Sequence, residues 1–326
     1  MRIEFPGLVD IQVNGFAGVD FNSPGATAGD LERAVSAIRA TGVTRFLPTL
    51  ITGPLDRFTE CARALLALND PAVAGFHMEG PYISPVDGAR GAHPRAHCTT
   101  ATFDDFARRQ DAAGGRITLV TVAPEIDGVL PLIGQLVSQG IRVAIGHTAA
   151  SPEQIAAAVA EGASLSTHLG NGCAAMLPRH PNVIWEQLAA DDLLASIIAD
   201  GHHLPPSVVK VIAAAKSAER TILVTDAIAA AGCAPGSYRI GDAEVELSDD
   251  GRVSLRGTPY LAGSALTMDD AIGKTVKFTG LSLEQVLPMA STVPAAYLGI
   301  SPAGTVTADW NAERSRLEIL HVAGPS

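Results

Sequence analysis

Ionisable side chains of the kinds that bind metals and move protons stand at the ends of short apolar runs in this sequence. Glu79 lies in His77-Met78-Glu79-Gly80-Pro81, His147 follows Gly146, and His168 follows Thr167. Asp200, His202 and His203 follow another run, and Asp226 follows Thr225 at the end of the last. Two imidazoles and one carboxylate that leave a position for water are a common catalytic zinc set, so Glu79, His147 and His168 could hold one divalent ion. Zinc suits these donors best, with iron or cobalt as alternatives. A single histidine at such a position is commonly just a polar residue near a loop. The signal is the coincidence of several run ends carrying the groups that metal-assisted hydrolysis needs.

Those groups converge only if the runs are strands of one parallel sheet. Eight runs are candidates: 8–13, 44–51, 73–78, 117–122, 142–145, 164–167, 195–199 and 221–225. Most are nearly continuous apolar segments, as strands buried on both faces require. Helical stretches fill the gaps at 28–41, 54–68, from Ser151-Pro152-Glu153-Gln154 onward, and from Pro205-Pro206-Ser207 to residue 218. Serine caps with proline at the first helical position mark such starts. The expected fold is α/β, a (β/α)8 TIM-like barrel whose catalytic residues come from the C-terminal strand ends. An open doubly wound sheet is the alternative with the same alternation. Residues 237–261 are polar and turn-rich around Asp249-Asp250-Gly251, and read as an inserted β-hairpin. Helical patterns resume at 267–279 and 282–291, and a strand is expected at 316–322. The expected division is a barrel over 1–304 and a β tail over 305–326.

Composition narrows the function. Acidic residues outnumber basic ones, 34 to 23, giving a net charge of −11. A surface that grips nucleic acid or an anionic membrane normally shows the opposite balance. One local arginine can still hold a phosphate. Cys61, Cys98, Cys173 and Cys233 form no CxxC pair, which argues against a zinc ribbon or a disulfide scaffold. No uninterrupted apolar run is long enough to span a bilayer and the start is not a signal peptide, so the cytoplasm is the expected compartment.

The same residues carry a family resemblance. His77-Met78-Glu79-Gly80-Pro81 resembles the H-x-E-G-P motif of N-acetylglucosamine-6-phosphate deacetylases of the amidohydrolase superfamily. Further landmarks follow in order: Pro6-Gly7-Leu8-Val9-Asp10, Gly146-His147, Thr167-His168-Leu169, Ile198-Ala199-Asp200-Gly201, Leu223-Val224-Thr225-Asp226-Ala227 and Leu261-Ala262-Gly263-Ser264. The resemblance implies one metal ion per chain on Glu79, His147 and His168, because Gln12 and Asn14 stand where other amidohydrolases carry H-x-H. It implies Asp226 as catalytic acid/base and His93 as the ligand of the substrate carbonyl. It places Ala92, His93, Asn171, Gly172 and His203 on substrate. Arg179 falls at the spacing from His168 of the family's phosphate-binding arginine; a solvated loop arginine is the other reading. Asp226 could likewise be only a cap for the next segment.

The implied reaction removes acetyl from N-acetylglucosamine 6-phosphate, giving glucosamine 6-phosphate and acetate. The partner is thus a small amino-sugar phosphate, not nucleic acid or membrane, and the family implies a homodimer. Two alternatives stand beside it: an amidohydrolase acting on another N-acyl or cyclic amide, and a catalytically silent sugar-binding relative. The family's β-sandwich is expected to be reduced or absent, since the chain starts almost at the first barrel strand. The tail around Ala308-Asp309-Trp310-Asn311 is expected to lack an apolar strand.

Overall fold

The computed structural model describes residues 1–240, 243–258 and 260–324. The chain opens with a strand, β1 (Arg2–Pro6), and enters the core at β2 (Leu8–Val13), where every residue is buried. Two short strands, β3 (Gly15–Phe16) and β4 (Val19–Asp20), pair antiparallel just beyond it. Strands and helices then alternate: α1 (Ala28–Ala40), β5 (Val43–Ile51), α2 (Leu55–Ala67), β6 (Phe76–Glu79), α3 (Phe103–Ala112), β7 (Ile117–Val122), α4 (Val129–Ser138), β8 (Arg142–Ile145), α5 (Pro152–Ala160), β9 (Leu165–Ser166), α6 (Val183–Ala189), β10 (Leu194–Ile197), α7 (Pro206–Lys216) and β11 (Thr221–Leu223). The helix starts are chemically marked. Thr27 and Ser151 each accept a hydrogen bond from the backbone three residues on, and Asp30 and Gln154 return it in reciprocal capping boxes.

Eight strands pair in the order β2-β5-β6-β7-β8-β9-β10-β11, all parallel. The two ends of this sheet meet. Val13 bridges Ala227 in parallel, the Asp226 N–H donates to the Gln12 carbonyl at 3.0 Å, and the Asn14 N–H donates to Ala227 at 2.7 Å. The sheet is therefore a nearly closed barrel, which removes the open-sheet alternative. One contiguous apolar core joins its interior to the surrounding helices. The strand expected at 73–78 begins later, because Val73 joins Phe46 only in an isolated bridge.

After the barrel come β12 (Gly236–Ile240), β13 (Ala243–Leu247) and β14 (Val253–Leu255). The segment read as a hairpin over 237–261 is thus a three-stranded antiparallel sheet; its residues 241, 242 and 259 lie outside the described residues. Val245, Leu247 and Val253 pack on Ile228 and Ala230, so the insertion sits on the segment just after Asp226. Helices α8 (Met268–Thr279), α9 (Leu283–Val286) and α10 (Thr292–Leu298) follow.

The tail departs from expectation. Residues 305–311 do form a strand, β15 (Thr305–Asn311), which pairs with β16 (Arg316–Ala323) on one side and β1 on the other. Val306, Ala308 and Trp310 alternate inward, the period-two pattern of a half-buried strand, so the segment forms a strand without an unbroken apolar run. The small β-unit is a three-stranded sheet, and its partner strand lies in the first six residues. No helix among the described residues is long and apolar enough to cross a membrane.

Candidate active site

The side chains singled out at strand ends meet at one barrel mouth. Glu79 ends β6, and both histidines follow directly on the turns after β8 and β9. The Glu79 Oε1 atom lies 3.3 Å from His147 Nε2 and 3.0 Å from His168 Nε2, and the two Nε2 atoms are 3.0 Å apart. All three residues are buried. A tetrahedral ion with bonds of about 2.0–2.1 Å needs ligand atoms about 3.4 Å apart, so this triangle matches one face of such a site. The ring orientation also fits. His147 Nδ1 donates to the Ala89 carbonyl at 3.1 Å, which leaves the Nε2 lone pair facing the centre. Among the described residues this trio is the one group of three whose donor atoms gather closely enough to share an ion.

The backbone is strained where these groups are delivered. His147, His168 and Asp226 adopt positive φ values of 49°, 29° and 49°, a region that non-glycine residues rarely occupy. Such turns point side chains over the barrel mouth instead of along the strand. Gly172, also at positive φ, packs against His147: a Cβ there would lie 2.8 Å from His147 Nδ1. The loop after His168 therefore supports a candidate ligand through a close approach that only glycine permits.

The electrostatics follow from burial and pairing. Burial disfavours charge on Glu79, yet the His147 and His168 imidazoles beside it hold its carboxyl well below the usual range. Burial also opposes a proton on His168, but Glu79 outweighs it and raises the pKa. Burial, with His147 close by, lowers His93 to about 3, so this ring is neutral. Burial, reinforced by the Glu79 charge, lifts Asp226 to about 6, within reach of both protonation states near neutral pH.

His93 is buried beside the trio, with Nε2 3.8 Å from Glu79 Oε2 and its ring edge-on to His147. Its Nδ1 pairs with the Thr52 hydroxyl at 2.9 Å. Ala92 is exposed on the same loop. Asn171 spends its amide locally, donating from Nδ2 to the His168 carbonyl at 3.1 Å. The two adjacent histidines part company. His203 Nδ1 meets Asp200 Oδ2 at 2.6 Å, while His202 Nε2 meets the Asp250 carbonyl of the inserted sheet at 3.1 Å. Arg179 is exposed on the loop after β9, and no hydrogen bond or ion pair ties it to the trio.

Residues outside the expected set complete the site. Gln12 Nε2 donates to Glu79 Oε1 at 2.8 Å, and Asn14 Nδ2 donates to Asp226 Oδ1 at 2.6 Å. Two residues earlier on β2, Asp10 accepts the Thr225 hydroxyl at 2.5 Å. The i, i+2, i+4 spacing of Asp10, Gln12 and Asn14 was the available signal, since alternate residues of a strand share one face. Thr52 and Asp200 carried no comparable sign of their partners.

Comparison with known proteins agrees with this geometry. Residues 3–313 match the model of the amidohydrolase family, and the chain belongs to that family. The particular branch is that of the N-acetylglucosamine-6-phosphate deacetylases. The mouse enzyme of that name is 35% identical over 316 residues, covering 92% of this chain and 75% of its own. The crystal structure of N-acetyl-D-glucosamine-6-phosphate deacetylase from Mycobacterium smegmatis superposes with a TM-score of 0.90 at 30% identity, covering 99% of this chain and 86% of its own. An N-acetylgalactosamine-6-phosphate deacetylase from Shewanella sp. (strain ANA-3) is 33% identical over 314 residues, 93% of this chain and 77% of its own. The family is metal-dependent, and the Glu79–His147–His168 group is its candidate site here.

Proposed function

We propose that this chain hydrolyses the acetamide of N-acetylglucosamine 6-phosphate to glucosamine 6-phosphate and acetate. The observation that carries the reading is the pairing of a three-donor candidate ion site with a buried Asp226, whose pKa burial lifts to about 6, at one barrel mouth in a chain of the deacetylase branch. Glu79, His147 and His168 would hold one divalent ion, zinc being the best match to two imidazoles and a carboxylate. Such an ion supplies Lewis acidity and brings the pKa of water to about 7.

The chain's own groups supply the rest. Asp226 takes a proton from the attacking water as the C–O bond forms. It returns that proton to the amide nitrogen as the C–N bond breaks, so the enzyme ends as it began. With the Thr52 hydroxyl, 2.9 Å away, donating to His93 Nδ1, the ring would carry its own proton on Nε2, where it would meet the substrate carbonyl oxygen. A neutral ring suits that role, because it donates without surrendering its proton. Asp200 fixes the His203 ring for contact with the sugar. Ala92, Asn171 and Gly172 line the sugar's approach, and Arg179, exposed on the loop after β9, receives the phosphate through forked hydrogen bonds.

The N-acetylgalactosamine 6-phosphate epimer is a second reading, favoured by a relative of that activity at 33% identity. Acetate release from both sugar phosphates and from unphosphorylated N-acetylglucosamine, with wild type beside Arg179→Ala, tests both. Release that requires the phosphate, with a raised KM in Arg179→Ala, is expected. Release from neither sugar phosphate by ion-loaded protein would overturn the proposal.

A further inference from the structure

Asp226 can carry a proton only if one oxygen faces first the water and then the departing nitrogen. A carboxylate at the end of a strand rotates unless something holds it. The structure supplies one holder. Asn14 Nδ2 donates to Asp226 Oδ1 at 2.6 Å, and this amide is the side-chain group hydrogen-bonded to that carboxylate among the described residues. The orientation of the Asn14 amide is fixed by chemistry, since turning it would set its oxygen against a carboxylate oxygen.

The backbone around the pair is clamped on both sides. The Asn14 N–H donates to the Ala227 carbonyl at 2.7 Å, and the Phe21 N–H donates to the Asn14 carbonyl at 2.9 Å. The Asp226 N–H donates to Gln12, and Thr225 is tied through its hydroxyl to Asp10. These bonds hold Asp226 in its left-handed conformation with Asn14 directly opposite. The chemical type of the holder matters. A lysine or arginine there would favour the ionised carboxylate so strongly that it would accept a proton poorly. A neutral amide orients one oxygen and leaves the other able to exchange.

We propose that Asn14 is a positioning residue for hydrolysis: its amide N–H fixes Asp226 Oδ1 so that Oδ2 takes the proton from water and returns it to the leaving nitrogen. Asn14 exchanges no proton itself. It makes no hydrogen bond to Glu79, His147 or His168, so its effect is separable from ion binding. The inference rests on the reading of Asp226 as the proton carrier.

The test uses the ion-loaded full chain as wild type, Asn14→Ala, Asn14→Asp, Asp226→Asn and the double variant Asn14→Ala/Asp226→Asn. Asn14→Asp is nearly isosteric and keeps the fold if Asn14→Ala does not. Acetate release from both sugar phosphates is measured for kcat and KM, beside ion content per chain and Tm. Both Asn14 variants are expected to lose about 10²-fold in kcat, the scale of a small misplacement at the reacting centre. Their KM should stay within about threefold and their ion content unchanged, and the double variant should be no slower than Asp226→Asn. A kcat within about threefold of wild type, multiplying losses in the double variant, or a kcat loss that merely follows lost ion or lost fold would overturn the assignment. Wild type inactive on both sugar phosphates would instead fail the proposed function, and the role of Asn14 with it.

Discussion

Replacing Gln12 with leucine should weaken ion binding without touching a ligand. Gln12 and Glu79 are both buried, and Gln12 Nε2 donates at 2.8 Å to the Glu79 oxygen that faces His147 and His168. Leucine keeps most of the volume and deletes the donor. The ion-free carboxylate can then rotate or take up a proton, and both must be undone when the ion binds. A hydrogen bond to a charged group contributes about 1.5–3 kcal/mol. At about 1.4 kcal/mol per tenfold, the dissociation constant should rise roughly 10- to 100-fold. Outer-shell partners of metal ligands show the same scale. Competition against a chelator of known affinity, with the ion counted in the separated protein, measures it; Glu79→Gln serves as the ligand-loss control. Affinity within about twofold of wild type for Gln12→Leu would refute the argument that the amide on β2 prepares Glu79.

Three further outcomes follow from the geometry. Asp226→Asn should lower kcat by about 10²–10⁴. Because the base must be ionised and burial lifts Asp226 to about 6, wild-type activity should rise with pH through that region, and the variant should lack the limb. A pH profile with the same acidic limb in both proteins would count against Asp226. Gly80→Ala should destabilise the fold by about 1–3 kcal/mol, because φ is +78° and the new Cβ would lie 2.1 Å from Thr52 Oγ1. An unchanged Tm would show that the turn relaxes freely. Asp200→Ala should raise KM about tenfold, the worth of one charged hydrogen bond to His203, and KM equal to wild type would remove His203 from substrate contact.

Some of this protein is written in local sequence. The barrel strands are buried on both faces, so they read as apolar runs, and each of the eight runs overlaps a strand of the sheet. The H-x-E-G-P turn and the histidines after two later runs mark the candidate ion site, because a parallel barrel sends C-terminal strand ends to one mouth. The separation of His202 from His203 is only half legible. Adjacent residues cannot share one direction, but which of them meets Asp200 is settled by the turn and by the inserted sheet that engages the other.

What the tertiary structure decided is every pairing between distant segments. Glutamine and asparagine at 12 and 14 look like lost ligands in the sequence. Barrel closure sets them against Glu79 and Asp226, which are 67 and 212 residues away, and turns them into donors. The tail strand likewise gains β1 as its edge partner, 303 residues from Thr307 to Glu4, while Val306, Ala308 and Trp310 bury their face in the main core. Composition and periodicity report how a residue meets its own element. A hydrogen bond across a barrel seam depends on register between segments with no local trace of each other, and only the closed fold fixes that register.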